Sequence, residues 1–141
     1  VTQPGFVATR GDRYLDEADA DERPHLYRLA AFLAAGVPLG LSSDAPYGET
    51  DPWAAMRAAM TRRTRGGRVL GQEEALTPEA ALAGFLGPLD RPGGPPRTIV
   101  PGASADLCLL EAPWARLRGA PDAAHVRLTL CAGDVVHDRD A

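Results

Sequence analysis

The sequence predicts an α/β portion followed by a small β portion, and three observations carry that expectation. From Pro24 to Ala35 the apolar residues Leu26, Leu29, Ala30 and Leu33 recur at helical spacing. Gly36 follows, and Val37-Pro-Leu-Gly-Leu41 is almost wholly apolar. Helix, glycine stop and continuous apolar run is the rhythm of α/β folds with a buried parallel sheet. Second, Gly87 to Gly102 sets Pro88, Pro92, Pro95, Pro96 and Pro101 among glycines, which excludes regular structure and reads as a linker. Third, His125-Val-Arg-Leu-Thr-Leu130 alternates and Val135-Val136-His137 returns after a turn, the pattern of a hairpin. The expected organisation is therefore 1–86 α/β, 87–102 linker and 103–141 β.

The elements follow in order. Residues 1–3 are extended, because Gln3 precedes Pro4. Gly11 to Glu22 is polar and acidic and is expected to be a surface loop. Pro24 suits a first helical turn and Gly36 a left-handed cap. Asp51-Pro52 starts the next helix as N-cap and first-turn proline, with Trp53, Met56 and Met60 on a core face and Gly66-Gly67 closing it. Thr77-Pro78-Glu79 repeats the signal ahead of Ala81, Leu82, Phe85 and Leu86. Beyond the linker, Ala105 to Leu110 is a strand, Pro113 to Arg118 one helical turn, and Ala132-Gly133-Asp134 the hairpin turn.

Composition narrows the function. The 141 residues are 45% hydrophobic and 24% charged, and 15 Lys+Arg against 19 Asp+Glu leave a net charge of −4. That balance argues against a nucleic-acid partner, and the absence of a long apolar run argues against a membrane span. No leader is visible, so a cytoplasmic location is expected. Cys108 and Cys131 stand far apart and are expected to be small buried hydrophobes. There is no Lys, so no lysine nucleophile or Schiff base arises from this chain. Val1 opens directly into Val-Thr-Gln-Pro without an initiator Met, as expected of a piece of a larger protein.

Chemistry concentrates in Leu41-Ser42-Ser43-Asp44-Ala45-Pro46, which puts a carboxylate just past a predicted strand, where α/β folds carry their sites. Asp44 there can bind a cation or move a proton. The commoner role of an Asp past a strand end is to cap its own turn through the backbone. His25, His125 and His137 form no H-x-H or H-E-x-x-H pattern. The run Arg62 to Arg68 reads as a helix end and solvated loop, or as an anion-binding rim if it faces Asp44. No G-x-S-x-G, Walker or G-x-G-x-x-G pattern is present, which ranks a nucleotide-binding domain last.

Taken in order, Thr2-Gln3-Pro4, Ala34-Ala35-Gly36-Val37-Pro38, Gly40-Leu41-Ser42-Ser43-Asp44-Ala45-Pro46, Asp51-Pro52, Ala58-Ala59-Met60-Thr61-Arg62, Leu76-Thr77-Pro78-Glu79-Ala80-Ala81-Leu82 and Pro101-Gly102-Ala103-Ser104-Ala105-Asp106-Leu107 resemble the C-terminal part of the metal-dependent amidohydrolases, in particular the amidohydrolase family 3 group. The resemblance implies the end of a (β/α)8 TIM-type barrel over 1–86 and part of a small β-sandwich over 103–141. It implies hydrolysis of C–N bonds in a small-molecule, amide-type substrate other than a peptide, through water activated by a divalent metal, zinc being the expected ion. Asp44 would be the metal ligand and proton shuttle, with Ser43, Pro46 and Arg62 in contact with substrate. Some relatives carry a His where Gly5 and Phe6 stand here, and the family's H-x-H pair arises from earlier strands.

On that map the 141 residues alone bind metal weakly and hydrolyse nothing. Edges at Val1 and Val37 would favour self-association or pairing with the missing N-terminal part. The competing reading is a non-catalytic structural or interaction module derived from the same fold.

Overall fold

Two units, Val1–Arg97 and Thr98–Ala141, make up the computed structural model, which describes residues 1–141. Together they are a mixed α/β structure with one three-stranded antiparallel sheet.

In the first unit the chain leaves its extended start at Pro4 and enters α1 (Gly5–Glu17). The surface loop expected over 11–22 is thus helical as far as Glu17. The buried residues Phe6, Val7 and Gly11 lie on one face, and α1 packs that side against α3 (Pro52–Thr61). Its outer face is polar, with Arg13 and Glu17 paired at 2.7 Å one turn apart. A polar segment with a narrow apolar stripe therefore becomes a helix through packing, which overrides the local loop signal. Close approach matters at Gly11, where an added Cβ would meet Thr64 Cγ2 at 2.7 Å. Asp12, next in sequence, accepts from Thr64 Oγ1 at 2.7 Å and from the Gly66 N–H at 2.9 Å.

The single helix expected over 24–35 is broken. Arg23–His25 forms a 3₁₀ turn, Tyr27 takes the left-handed conformation (φ 51°), and only Ala30–Ala34 forms α2. Gly36 ends it as expected, at φ 71°, with Gly36 N–H donating to Leu33 O and Val37 N–H to Phe32 O, the paired bonds of a Schellman cap. The expected buried strand Val37–Leu41 reduces to one parallel bridge, Thr2 to Leu41. Pro38 has no N–H to offer a ladder, and Val37 is 45% exposed while Leu41 is 7% exposed.

Asp51 caps α3 by accepting the Trp53 N–H at 2.8 Å, with Pro52 at its first position. Ala55, Met56, Ala58 and Ala59 are buried; Trp53 and Met60 are half-buried. The helix stops earlier than the Gly66-Gly67 pair, because Arg62 itself adopts the left-handed cap (φ 56°) and donates its N–H to Ala58 O. Thr77 caps α4 (Pro78–Leu86) through the Ala80 N–H. Ala81 is its buried residue, and Leu82, Phe85 and Leu86 are half-buried.

The second unit holds β1 (Leu107–Leu110), β2 (Val126–Cys131) and β3 (Asp134–Asp138) in the order β1-β2-β3, all antiparallel, with the single turn α5 (Trp114–Leu117) between β1 and β2. Ala132 and Gly133 both have positive φ, 51° and 93°, as a two-residue hairpin turn of the primed type requires. Asp106 Oδ1 accepts the Ala132 N–H at 2.7 Å and braces that turn. Cys108 and Cys131 are both free and exposed, against the expectation of burial. The sheet is only three strands wide, and β3 has no buried residue, so this unit offers little interior for them.

Candidate functional site

The site is built around the one parallel pairing in the first unit. Thr2 N–H donates to Gly40 O and Ser42 N–H to Thr2 O, each at 3.0 Å. Leu41, between them, donates its N–H to Gly84 O at 2.8 Å. An added Cβ at Gly84 would meet Leu41 Cγ at 2.5 Å, so the glycine is what lets α4 come this close. Both chain segments leave the bridge in the same direction, one into Pro4 and α1, the other into Ser42-Ser43-Asp44.

Asp44 is exposed and sits in the left-handed region at φ 59°, where Asp is tolerated better than most side chains. The loop closes behind it through Gly48 N–H to Asp44 O at 3.0 Å, and the Ala45–Pro46 peptide is cis. The side chain that reaches a turn N–H is that of Ser43, whose Oγ lies 3.4 Å from Ala45 N. The Asp44 carboxylate takes no part in that turn, so the capping reading of this residue finds no bond behind it.

Ser43, Asp44 and Pro46 therefore share one loop at the C-terminal end of the parallel pairing. Ser43 is half-buried and Pro46 exposed. Arg62 stands apart from them: it has no exposed surface, and its Nε and Nη2 donate to the carbonyls of Leu70, Gly71 and Leu26. Burial pushes its pKa down, and the charges of Glu74 and Glu73 counter that. The rest of the arginine run is tied down too. Arg65 pairs with Glu49, Arg68 with Asp16 at 2.7 Å, and Arg63 donates to Gly67 O.

Arg10, Tyr14 and Tyr27, which the sequence expectation does not include, join Phe6 on this rim. Phe6, Arg10 and Tyr14 follow one another at helical spacing on α1 and share a face. The Arg10 guanidinium carbon lies 4.0 Å from the centre of the Phe6 ring, a cation–π contact. The Tyr14 and Tyr27 hydroxyls are 3.2 Å apart and their ring centres 5.6 Å apart. Burial raises the Tyr27 pKa, reinforced by the bond and charge of Tyr14; Arg10 acts to lower it and Asp44 to raise it. Both charges thus act on the same phenol. The i, i+4, i+8 spacing of Phe6, Arg10 and Tyr14 is the signal that finds them, once residues 5–17 are read as a helix.

No group of three or more His, Cys, Asp or Glu side chains is placed to hold a metal ion. His25 lies in the 3₁₀ turn after α1; in the second unit, His125 Nδ1 meets Glu111 Oε1 at 2.7 Å and His137 lies in β3. No helix is long and apolar enough to cross a membrane.

A family model described as amidohydrolase family matches residues 2–137. No curated protein and no solved structure matches the chain.

Proposed function

Since the chain belongs to the amidohydrolase family, we propose that it supplies Asp44 as the proton-carrying carboxylate of a hydrolase that cleaves C–N bonds, other than peptide bonds, in small amide-type molecules. The observation that carries this reading is the position of Asp44, exposed at the C-terminal end of the Thr2–Leu41 pairing with its carboxylate outside the turn's own bonding. A carboxylate so placed takes a proton from the attacking water and returns it to the leaving nitrogen, acting first as base and then as acid. Ser43 and Pro46 flank it as substrate contacts. Arg62 enters this reading as a positioning residue, since its donors hold backbone carbonyls.

The family is generally metal-dependent, and zinc is the ion this reading favours. The residues of this chain do not by themselves fit such a centre, because Asp44 has no companion ligands around it. We therefore place the remaining ligands outside these 141 residues.

Equilibrium dialysis against zinc, followed by a turnover assay on N-acylated amines, tests the proposal. The chain alone is expected to lose zinc on dialysis and leave the amides intact. In a longer polypeptide that carries the H-x-H pair, Asp44→Asn is expected to lower kcat by about 10²–10⁴-fold. Tight zinc with amide turnover in the 141 residues alone would overturn the division of ligands. Full kcat in the Asp44→Asn variant would overturn the role of Asp44 and favour a non-catalytic module.

A further inference from the structure

Arg10 is the charged group on this rim that the proposed chemistry does not use. Other arginines of this unit are paired: Arg13 with Glu17, Arg65 with Glu49 and Arg68 with Asp16. Arg10 is exposed and stacks on an aromatic face, which leaves the guanidinium N–H groups without an acceptor from the chain. The group is nevertheless held in place. Phe6 beneath it is only 6% exposed, and a Cβ built on Gly48 would lie 3.6 Å from Phe6 Cε1, so the ring that carries Arg10 also abuts the loop that carries Asp44.

We propose that Arg10 is the substrate-carboxylate anchor of this site: its guanidinium, set over Phe6 and beside the Tyr14–Tyr27 hydroxyl pair, binds a carboxylate on the amide substrate and directs the scissile bond toward Asp44. The inference rests on the reading of Asp44 above and adds the substrate class, an anionic N-acyl compound.

A guanidinium presents two parallel N–H groups that match the two oxygens of a carboxylate. The two tyrosine hydroxyls share one bond, which leaves one O–H free to donate. A phosphate dianion is a poorer match, since a single cation would have to offset it beside the Asp44 charge. The aromatic support lowers the entropy lost when the ion pair forms.

The test titrates the isotopically labelled chain with N-acetylglycine and, separately, with its neutral counterpart N-acetylglycinamide, and follows the Arg10 side-chain N–H and Tyr27 ring resonances. N-acetylglycine is expected to bind at least about tenfold more tightly, equivalent to about 1.4 kcal/mol, and to shift both residues. Arg10→Gln is expected to abolish that preference without changing the melting temperature, because the side chain is exposed. Arg10→Lys, which keeps the charge and loses the fork, is expected to restore only part of it. Equal or undetectable binding of the two probes, or a preference that survives Arg10→Gln, overturns the proposal. Asp44→Asn is expected to keep the preference, since it removes a repelling charge. Loss of the Asp44 role would show in turnover and loss of the Arg10 role in this binding, so the two fail separately.

Discussion

Glu74 Oε2 accepts the backbone N–H of Leu29 at 2.8 Å, and the same oxygen accepts that of Ala31 at 2.9 Å. Leu29, the N-cap residue of α2, has no side-chain acceptor, so a carboxylate from a distant 3₁₀ turn does what a local Ser or Asp does elsewhere. Glu74 is 4% exposed and Leu29 fully buried, and water has little access to either. Glu74→Ala is therefore expected to strand a buried N–H and to cost about 2–4 kcal/mol. Glu74→Gln, which keeps one acceptor oxygen, is expected to cost about half as much. Urea denaturation followed by circular dichroism reads both, and a midpoint unchanged in Glu74→Ala would remove Glu74 as the cap.

The same carboxylate makes the fold acid-sensitive. Burial by itself would raise its pKa, but the N–H groups of Ala31 and Leu29 and the charge of Arg28, 3.6 Å away, outweigh it and hold the pKa below the ordinary 4.5. A carboxyl lowered on folding contributes stability above its unfolded pKa and loses it as pH falls through the folded value. The stability gap between the native chain and Glu74→Gln is thus expected to be full at neutral pH and to narrow progressively below 4.5. A gap that stays constant down to about pH 3 would contradict this linkage.

Arg62 yields a prediction that separates support from substrate contact. Its side chain bonds to the carbonyls of Leu70 at 2.9 Å, Leu26 at 3.1 Å and Gly71 at 3.2 Å, drawing two loops around the end of α3. Arg62→Met fills similar space and leaves those carbonyls without a donor. A loss of about 2–4 kcal/mol is expected, because buried carbonyls lose their donor without regaining water. Differential scanning calorimetry measures it, and a variant that melts like the native chain would indicate that Arg62 serves something other than the fold.

What the sequence makes legible follows the range of each interaction. Asp51 and Thr77 cap helices through N–H groups two or three residues away, and Gly36 closes α2 within its own turn. Such bonds are written in adjacent letters. The hairpin turn at Ala132-Gly133 is of the same kind. The capping of α2 by Glu74 depends on partners more than forty residues apart, the interruption at Tyr27 meets Tyr14 from a separate helix, and no window of periodicity contains either. α1 is missed because its second half, from Asp12 to Glu17, is as polar as a loop, while its buried face acquires meaning only against α3. The loop of Asp44 is legible as a motif; the Phe6–Arg10–Tyr14 face beside it depends on finding that helix first.

Gly48 controls where Asp44 stands. Its φ is not positive, so conformational freedom does not explain a glycine here; space does. A Cβ would sit 1.8 Å from Ser43 O and 3.0 Å from Ser43 C, both backbone atoms that cannot swing aside as a side chain does. Gly48→Ala must therefore open the 43–48 loop, break the Gly48 N–H bond to Asp44 O and lift the turn off Phe6. Gly67→Ala makes the contrast: at φ 81°, with nothing near its missing Cβ, it pays only the left-handed strain, about 1–2 kcal/mol. Hydrogen exchange distinguishes the two variants. The amide at position 48 is expected to lose its protection in Gly48→Ala and to keep it in Gly67→Ala. Equal protection in both would mean that the loop tolerates the added methyl and that Asp44 is not held by this turn.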